Sequence, residues 1–450
     1  MSHPDLADLM PQPAKVETGE GLFTFQTLSF AKGTSDTLKD ALGRVAARLT
    51  RHHRKDFAFS FEGEMGNASL SCQRFDAVPL PDMEESYALS VSEQGLEIVA
   101  PSQIGVLRAF QTLYQMIQPC DQGWCLPFCH IEDGPRFSWR GVLLDVSRHF
   151  MSVADVERLL DGMEIAKLNV LHFHLANDQG FRLECKTHPR LHEVGSEGDY
   201  YSQDEMRYLI GEASMRGIRI VPEFCLPGHS VSWQVAYPEL SASLLPPSEV
   251  GELREMFSVP VDPTREALYS FVDAFVGEMA ALFPDPYFHT GGDEVNPKAW
   301  KENPAIADFM SERGMGSHRD LQAYFTGRYA QIVRAHGKRV IGWEEVLHAD
   351  VDEDVLIHLW RDGVYPQTLA RHPILVSWNY YLDLQQPAHW LYAKDPMDFV
   401  VRGAETGSLE VLGAEMANWS ETMDGRNLDQ RTWPRGAAMA ERFWSARAFV

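Results

Sequence analysis

The chain from about residue 134 onward alternates short apolar runs with amphipathic helical segments. The apolar runs cover residues 141–146, 169–175, 218–224, 287–290, 339–343, 355–360, 374–378 and 411–417. The helical segments cover about residues 152–168, 202–216, 264–282, 317–336 and 435–446, and the first begins at Ser152, a suitable N-cap. Eight strand-like runs with intervening helices predict a closed (β/α)8 TIM barrel in the α/β class. A doubly wound open sheet is the alternative, but it requires a nucleotide-type glycine loop after an early strand, and the sequence has none there.

The first 133 residues follow a different pattern and predict a small α+β domain. Apolar residues from Leu38 to Leu49 fall on one helical face, and alternating residues on both sides of Glu93-Gln94-Gly95 predict a β-hairpin. The turn-forming sequence Asp133-Gly134-Pro135-Arg136 marks the boundary. We therefore predict a support domain over residues 1–133 and a catalytic barrel over residues 134–450.

The charge balance limits the classes of partner. The 450 residues carry a formal net charge of −24, which opposes binding to nucleic acid or to an anionic membrane. No apolar run approaches the length of about 20 residues that spans a bilayer. The polar N-terminal segment lacks the pattern of a secretory signal, so we expect a cytoplasmic protein, and the sequence leaves its oligomeric state open.

Acidic and indole side chains gather at the ends of the predicted strands, where a barrel of this kind has its active site. They and their polar neighbours are Asp145, Arg148, Asn177, Asp178, Glu223, His229, Asp293, Glu294, Trp343, Trp360, Trp378, Trp419 and Glu421. Indole faces pack on the apolar faces of a sugar ring, while carboxylates and arginine bind its hydroxyl groups. The strand ends therefore predict a carbohydrate pocket.

The segment His289-Thr290-Gly291-Gly292-Asp293-Glu294 resembles the H-x-G-G-D-E signature of family 20 glycoside hydrolases, the β-N-acetylhexosaminidases. Further segments resemble the family in the same order along the chain, at residues 140–150, 171–175, 178–182, 222–224, 227–229, 342–345, 381–383, 413–415 and 419–421. The resemblance implies hydrolysis of terminal non-reducing N-acetyl-D-hexosamine residues with retention of configuration. It also implies that the substrate supplies its own nucleophile.

The resemblance assigns the chemical roles to three residues. The acetamide oxygen of the sugar attacks the anomeric carbon to form an oxazolinium ion, while Glu294 protonates the leaving oxygen and later deprotonates water. Asp293 is expected to hold the acetamide N–H and stabilise the developing positive charge. Tyr381 is expected to donate its hydroxyl to the acetamide oxygen. No metal or organic cofactor is implied.

The resemblance also assigns residues that bind the sugar or support the acid. They are Trp343, Trp360 and Trp419 around the acetamide and the ring, Arg148, Asp383 and Glu421 on the hydroxyl groups, and His229 behind Glu294. The expected partner is a small oligosaccharide, such as a chitooligosaccharide, or a glycoconjugate. The sequence does not distinguish a glucosaminide from a galactosaminide.

One position departs from the family pattern. The family usually has two aspartates before Gln-Gly, and the first belongs to the histidine–glutamate network, whereas here Asn177 stands first and Asp178 second. We expect Asn177 to accept a hydrogen bond from His229 through its amide oxygen without supplying a charge. The missing charge predicts a shifted alkaline limb of the pH–rate profile.

Two other functions and a metal cluster remain as alternatives at this stage. His172 and His174 share one face of a strand and match the metal pair of metal-dependent barrel hydrolases, although core packing is the preferred interpretation. The second alternative function is a catalytically silent sugar-binding barrel, but such a protein does not require Asp293, Glu294 and Tyr381 together. Cys120, Cys125 and Cys129 lack a C-x-x-C pair, so free thiols are expected there instead of a zinc cluster.

Overall fold

The computed structural model of the chain describes residues 6–31, 34–63, 66–74, 79–250, 259–348 and 351–447. Its first part is an α+β unit with the strands β1 (Lys15–Phe25), β2 (Leu28–Ala31), β3 (Phe59–Gly63), β4 (Ala68–Arg74), β5 (Tyr87–Ser92), β6 (Gly95–Ser102), β7 (Gln118–Cys120) and β8 (Gly123–Asp133) and the helices α1 (Asp36–His53) and α2 (Gln103–Met116). Six of the strands form one sheet in the order β1-β8-β5-β6-β4, with β7 beside β8. The predicted hairpin is confirmed, because β5 and β6 pair in antiparallel register from Ala88↔Val99 to Ser92↔Gly95.

The apolar face predicted for the first helix is buried. Leu38, Leu42, Val45 and Leu49 are at most 2% exposed and lie in one core with α2 and the sheet. Ser35 caps the helix by accepting a hydrogen bond from the backbone N–H of Leu38. Burial of this stripe holds α1 on the sheet.

The second part is a closed barrel. Its strands are β9 (Trp139–Asp145), β10 (Val170–Asn177), β11 (Gly180–Phe181), β12 (Arg219–Phe224), β13 (Tyr287–His289), β14 (Arg339–Trp343), β15 (Leu356–Leu359), β16 (Val364–Tyr365), β17 (Ile374–Val376), β18 (Val400–Val401) and β19 (Val411–Asn418). Eight of them pair in parallel in the order β10-β12-β13-β14-β15-β17-β19-β9, and β9 pairs with β10 to close the ring. Each predicted apolar run forms one of these eight strands, so the predicted barrel is confirmed.

The helices of the barrel do not follow every strand. They are α3 (Val153–Ile165), α4 (Arg190–Glu193), α5 (Gln203–Ser214), α6 (Val231–Ala236), α7 (Glu266–Leu282), α8 (Lys298–Glu302), α9 (Pro304–Glu312), α10 (His318–Ala335), α11 (Ala388–Tyr392), α12 (Leu428–Thr432) and α13 (Arg435–Trp444). In the described residues between β14 and β15, a 3-10 turn at Glu344–Val346 takes the place of an α-helix. The parallel pairing of β14 with β15, up to Trp343↔His358, brings the end of β14 close to the end of β15. No helix among the described residues combines the length and the apolar character of a bilayer span.

Buried charges join the two parts of the chain. Lys167 Nζ lies 2.8 Å from Oδ2 of Asp133, and Trp444 Nε1 donates to Oδ1 of the same carboxylate at 2.9 Å. Glu85 Oε2 accepts from Arg108 Nε at 2.7 Å and from Arg140 Nη2 at 2.6 Å. Each of these ionic side chains is at most 6% exposed, so the junction depends on their mutual pairing.

Candidate active site

The aromatic residues at the strand ends meet on one side of the barrel mouth. Trp343 lies in a small apolar cluster with Leu143 and Ala417, and Trp360, Tyr381 and Trp419 pack against that cluster. The ring centroid of Trp419 is 6.0 Å from that of Trp343 and 6.1 Å from that of Tyr381. Four of the predicted site residues therefore form one aromatic wall.

Trp378 does not join this wall. Its side chain is 7% exposed and belongs to the large core cluster that strand residues such as Val376 form with the surrounding helices. The prediction that the indoles of the fifth, sixth and seventh strand ends all address one pocket is wrong for the seventh. β17 ends at Val376, and Trp378, two residues later, lies in the same core cluster as Val376, as the alternation of side chains along an extended chain expects.

The two acidic residues after β13 lie on a tight turn that glycine makes possible. Gly291 and Gly292 have φ values of 71° and 96°, which residues with a Cβ rarely adopt. A Cβ on Gly291 would lie 2.2 Å from Cys225 Sγ, and one on Gly292 would lie 2.4 Å from Val346 Cγ1. Glu294 itself has a φ of 48°, a conformation that costs free energy and is concentrated at functional sites.

His229 lies between the two carboxylates that the sequence singled out. Its Nε2 atom is 3.5 Å from Oδ2 of Asp293 and 3.5 Å from Oε2 of Glu294. Burial alone would lower the pKa of His229, but the charge of Asp293 and hydrogen bonds to its carboxylate neighbours hold that pKa well above its ordinary value. Burial raises the pKa of Asp293 and the charge of His229 lowers it. The net effect is a lowered pKa. Asp293 is therefore an anion beside an imidazolium.

The residue behind His229 is Asp178, so the expected contact with Asn177 is wrong. Oδ2 of Asp178 lies 3.7 Å from Nδ1 of His229. The amide group of Asn177 instead contacts Nε2 of His174 at 2.9 Å. The pairing of β10 with β12 shifts register between His174 and Ala176, and such a bulge exchanges the faces of the residues that follow it. Asn177 consequently faces the barrel interior.

Cys225 is a neighbour of Asp293 that the sequence reasoning missed. Its thiol donates to Oδ1 of Asp293 at 3.2 Å. Burial, followed by the charge of Asp293, raises the pKa of this thiol well above its ordinary value, so it is a protonated donor. The position of Cys225 directly after β12, at the end of a barrel strand where active-site residues lie, was the feature of the sequence that indicated this role.

The predicted hydroxyl-binding residues gather around Arg148. Its Nη1 atom lies 3.0 Å from Oδ2 of Asp145, its Nε atom lies 3.5 Å from Oε1 of Glu421, and its guanidinium is 5.0 Å from the ring centroid of Trp419. Burial and the charge of Glu421 raise the pKa of Asp383 to about 7. Oδ1 of Asp383 is buried and has no hydrogen-bond partner among the described residues, so a sugar hydroxyl could satisfy it.

Backbone hydrogen bonds fix the loop that carries Tyr381. Leu382 donates to the carbonyl oxygen of Ala417 at 2.8 Å, and Ala417 donates to that of Tyr380 at 3.0 Å. These bonds tie the loop after β17 to β19 and bring Tyr381 beside Trp419. Burial raises the pKa of Tyr381 well above its ordinary value, so its hydroxyl keeps the proton that it would donate.

A buried network of imidazoles and carboxylates lies beneath the wall. Glu223 accepts from Trp343 Nε1 at 2.8 Å through Oε1 and contacts His174 Nδ1 at 2.5 Å through Oε2. His172 Nδ1 contacts Oε2 of Glu415 at 2.8 Å, and His358 stacks on Trp343 with centroids 4.1 Å apart. His172 and His174 are thus each held by a carboxylate in the barrel core, as the core-packing interpretation expected, but Nε2 of His172 has no hydrogen-bond partner among the described residues. The network fixes Trp343.

Glu345 is the second functional candidate that the sequence reasoning missed. Its Oε2 atom accepts from Trp360 Nε1 at 3.1 Å, and its Oε1 atom lies 3.2 Å from Arg361 Nη2. Both partners follow β15, whereas Glu345 follows β14. The sequence placed Glu345 in a matching segment, but only the fold shows which side chain it contacts.

Comparison with protein-family models agrees with this geometry. The model "Glycosyl hydrolase family 20, catalytic domain" matches residues 137–447, and "Glycosyl hydrolase family 20, domain 2" matches residues 7–134. The chain is 35% identical over 386 residues to the human protein named beta-hexosaminidase subunit beta, a match that covers 83% of this chain and 68% of the human one.

Two solved structures share the fold along nearly the full chain. A chitobiase from Flavobacterium johnsoniae superimposes with a TM-score of 0.90 at 35% identity, covering 97% of this chain and 69% of that one. An exo-β-N-acetylglucosaminidase from Vibrio harveyi, solved in complex with N-acetylglucosamine, superimposes with a TM-score of 0.85 at 29% identity, covering 100% of this chain and 75% of that one.

Proposed function

The chain belongs to glycosyl hydrolase family 20 and has β-hexosaminidase function, and we propose that Asp293, Glu294 and Tyr381 perform its reaction. The substrate is a terminal, non-reducing N-acetyl-D-hexosamine residue, and the product retains its anomeric configuration. The observation that carries the assignment is the placement of His229 at 3.5 Å from both Asp293 and Glu294. The aromatic wall of Trp343, Trp360, Tyr381 and Trp419 is built from the neighbouring strand ends.

In the first step the acetamide oxygen attacks the anomeric carbon and the bond to the leaving oxygen breaks. Glu294 gives its proton to that oxygen, and Tyr381 donates a hydrogen bond to the attacking acetamide oxygen. The amide nitrogen becomes positively charged as the oxazolinium ring closes. Asp293, an anion held by His229 and Cys225, stabilises that charge.

In the second step water attacks the anomeric carbon and reopens the ring. The Glu294 carboxylate accepts the proton of the water, which restores the acid for the next cycle. Arg148, Asp383 and Glu421 hold the hydroxyl groups of the sugar during both steps. Oδ1 of Asp383 offers a hydrogen-bond acceptor, and the guanidinium of Arg148 offers donors.

The relatives support a short sugar substrate. The Flavobacterium protein is named a chitobiase, and the Vibrio structure holds N-acetylglucosamine, so we propose N-acetylglucosamine-terminated chitooligosaccharides as the substrates of this chain. The cytoplasmic location inferred from the sequence stays a prediction.

Hydrolysis of 4-nitrophenyl N-acetyl-β-D-glucosaminide tests the function, with Glu294→Gln as the variant that removes the acid. We expect turnover by the wild type and its loss in the variant. The matching β-D-glucoside lacks the acetamide and should not be cleaved. Equal cleavage of the glucoside, or a covalent sugar–enzyme intermediate, would contradict the mechanism.

A further inference from the structure

The Trp360 side chain contacts one residue that follows β14 and one that follows β15. Its Nε1 atom donates to Oε2 of Glu345 at 3.1 Å, and the guanidinium of Arg361 lies 4.9 Å from its ring centroid. Arg361 Nη2 in turn lies 3.2 Å from Oε1 of Glu345. Glu345, Trp360 and Arg361 therefore contact one another, and we call these three residues the Trp360 clamp. Arg361 Nε also lies 2.5 Å from Oε1 of Glu344.

Glu344 binds the backbone after β15, unlike the adjacent Glu345, which binds the Trp360 indole. Its Oε2 atom accepts from the backbone N–H groups of Trp360 at 3.0 Å and Arg361 at 3.4 Å, and from the Tyr365 hydroxyl at 3.1 Å. These bonds fix the backbone after β15. Only Glu345 holds the polar edge of the Trp360 indole, among the described residues.

We propose that Glu345 is a positioning residue for Trp360, and that its ionisation changes how firmly the active site holds the sugar. The proposal rests on the proposed function, because Trp360 is there a wall of the sugar pocket. A carboxylate is a stronger acceptor for the indole N–H than a neutral carboxyl, and it attracts Arg361. The ionised clamp therefore orients Trp360 more firmly than the neutral one.

The surroundings of Glu345 place this change near neutral pH. Burial, followed by the negative charge of Asp293, raises the pKa of Glu345 to about 7, while the Trp360 N–H and the Arg361 charge oppose that rise. The charged groups that act on it are Asp293 after β13 and Arg361 after β15, and Arg361 also pairs with the adjacent Glu344. Glu345 gains its charge as the pH rises through this value.

The kinetic test compares the wild type with Glu345→Gln. An ordered wall binds the sugar in the ground state and the transition state alike, so its loss raises KM more than it lowers kcat. Wild-type KM for 4-nitrophenyl N-acetyl-β-D-glucosaminide should fall about fivefold as Glu345 ionises, since bonds to charged groups are stronger than neutral ones. Glutamine is uncharged throughout, so the variant should lose the part of this fall in KM that Glu345 supplies and keep the part that Asp383, with a pKa of about 7, supplies.

A spectroscopic test does not depend on turnover. The indole N–H resonance of Trp360, assigned by its absence in Trp360→Phe, should shift with a midpoint near pH 7 in the wild type and stay constant in Glu345→Gln. Glu353→Gln is the matched control, because Glu353 is 63% exposed and pairs with Arg371 away from the clamp. That control should leave both the resonance and KM at wild-type values.

The outcomes separate the two proposals. If the Trp360 resonance does not titrate, or if Glu345→Gln shows the wild-type pH dependence of KM, the inference about Glu345 is overturned. If the resonance titrates but the wild type does not hydrolyse N-acetylhexosaminides, the proposed function fails while the clamp stands. A resonance that titrates in the wild type and stays constant in Glu345→Gln, together with a smaller pH-dependent fall of KM in that variant, supports the inference.

Discussion

The thiol of Cys225 donates a hydrogen bond to Oδ1 of Asp293 across 3.2 Å. On the other oxygen of the same carboxylate, His229 Nε2 lies 3.5 Å away. One neutral and one cationic donor thus orient the carboxylate that is proposed to stabilise the oxazolinium ion. Gly291 makes this contact possible, because a Cβ there would lie 2.2 Å from the sulfur atom.

Replacing Cys225 by alanine should therefore reduce the rate through Asp293. Loss of a donor to the charged form raises the pKa of Asp293, so the acid limb of the kcat profile should move to higher pH. The lost bond predicts a fall in kcat of about tenfold, equivalent to about 1.4 kcal/mol. Steady-state kinetics across the pH range measures both effects.

Cys225→Ser provides the conservative comparison, since a hydroxyl can donate to the same oxygen. It should recover most of the activity and the wild-type acid limb. Cys129→Ala removes another buried thiol, in the support part of the chain, and should leave the profile unchanged. An alanine variant at position 225 with the wild-type acid limb would contradict this role.

Asp178→Asn should move the alkaline limb of the pH–rate profile to lower pH. The raised pKa of His229 keeps it charged at neutral pH, and that charge is lost as the pH rises through the folded-state pKa. Removing the Asp178 anion lowers this pKa, so the histidine loses its proton earlier. A rate profile from acid to alkaline pH measures the shift.

Asn177→Asp is the informative comparison for that prediction. Its side chain contacts His174 in the barrel interior and not His229. The new carboxylate should leave the alkaline limb in place. If Asn177→Asp moves the alkaline limb further than Asp178→Asn does, then Asn177 and not Asp178 contacts His229.

Asp293→Ala should lower kcat by about 10²- to 10³-fold, because the positive charge of the closing ring loses its counter-charge. Steady-state kinetics with an N-acetylhexosaminide measures the loss. Asp273→Ala is the matched control, since Asp273 is 57% exposed and pairs with His336 on the surface. A variant at position 293 that changes only KM would remove Asp293 from the chemical step.

Lys167→Met should destabilise the chain by about 3–5 kcal/mol, because it leaves the buried Asp133 carboxylate without its ionic partner. Burial lowers the pKa of Lys167, and the charge of Asp133 partly restores it. Urea unfolding followed by circular dichroism measures the loss. Lys15→Met removes an exposed partner of Glu132 and should leave the unfolding midpoint unchanged.

Local patterns were sufficient for the architecture of the barrel. A run such as Arg339–Trp343 is apolar over a strand's length, and its neighbours along the chain have helical periodicity or turn residues. Each run is buried between the helices and the barrel interior, and the pattern of apolar residues along the chain is enough to predict that burial. The resemblance of the motif around Asp293 and Glu294 to family 20 implied the chemistry, and that motif is a continuous segment of the sequence.

The sequence pattern did not predict which individual side chains contact one another at the strand ends. Asn177 and Asp178 are neighbours, and a one-residue shift in the pairing of β10 decides which of them faces His229. Trp360 directly follows its strand and joins the wall, whereas Trp378 lies two residues beyond its strand and packs in the core. Sequence spacing does not report such shifts, because they depend on the adjoining strand.

The sequence by itself determined the eight strands, the acidic pair and the aromatic residues of the wall, since each follows from the order and type of residues along the chain. Only the tertiary structure decided that Cys225 holds Asp293, that Asp178 supports His229 and that Glu345 holds Trp360. Each of these contacts joins different strand ends, and their distances are set by how the barrel closes. That closure is a property of all the strands together and is absent from any local segment.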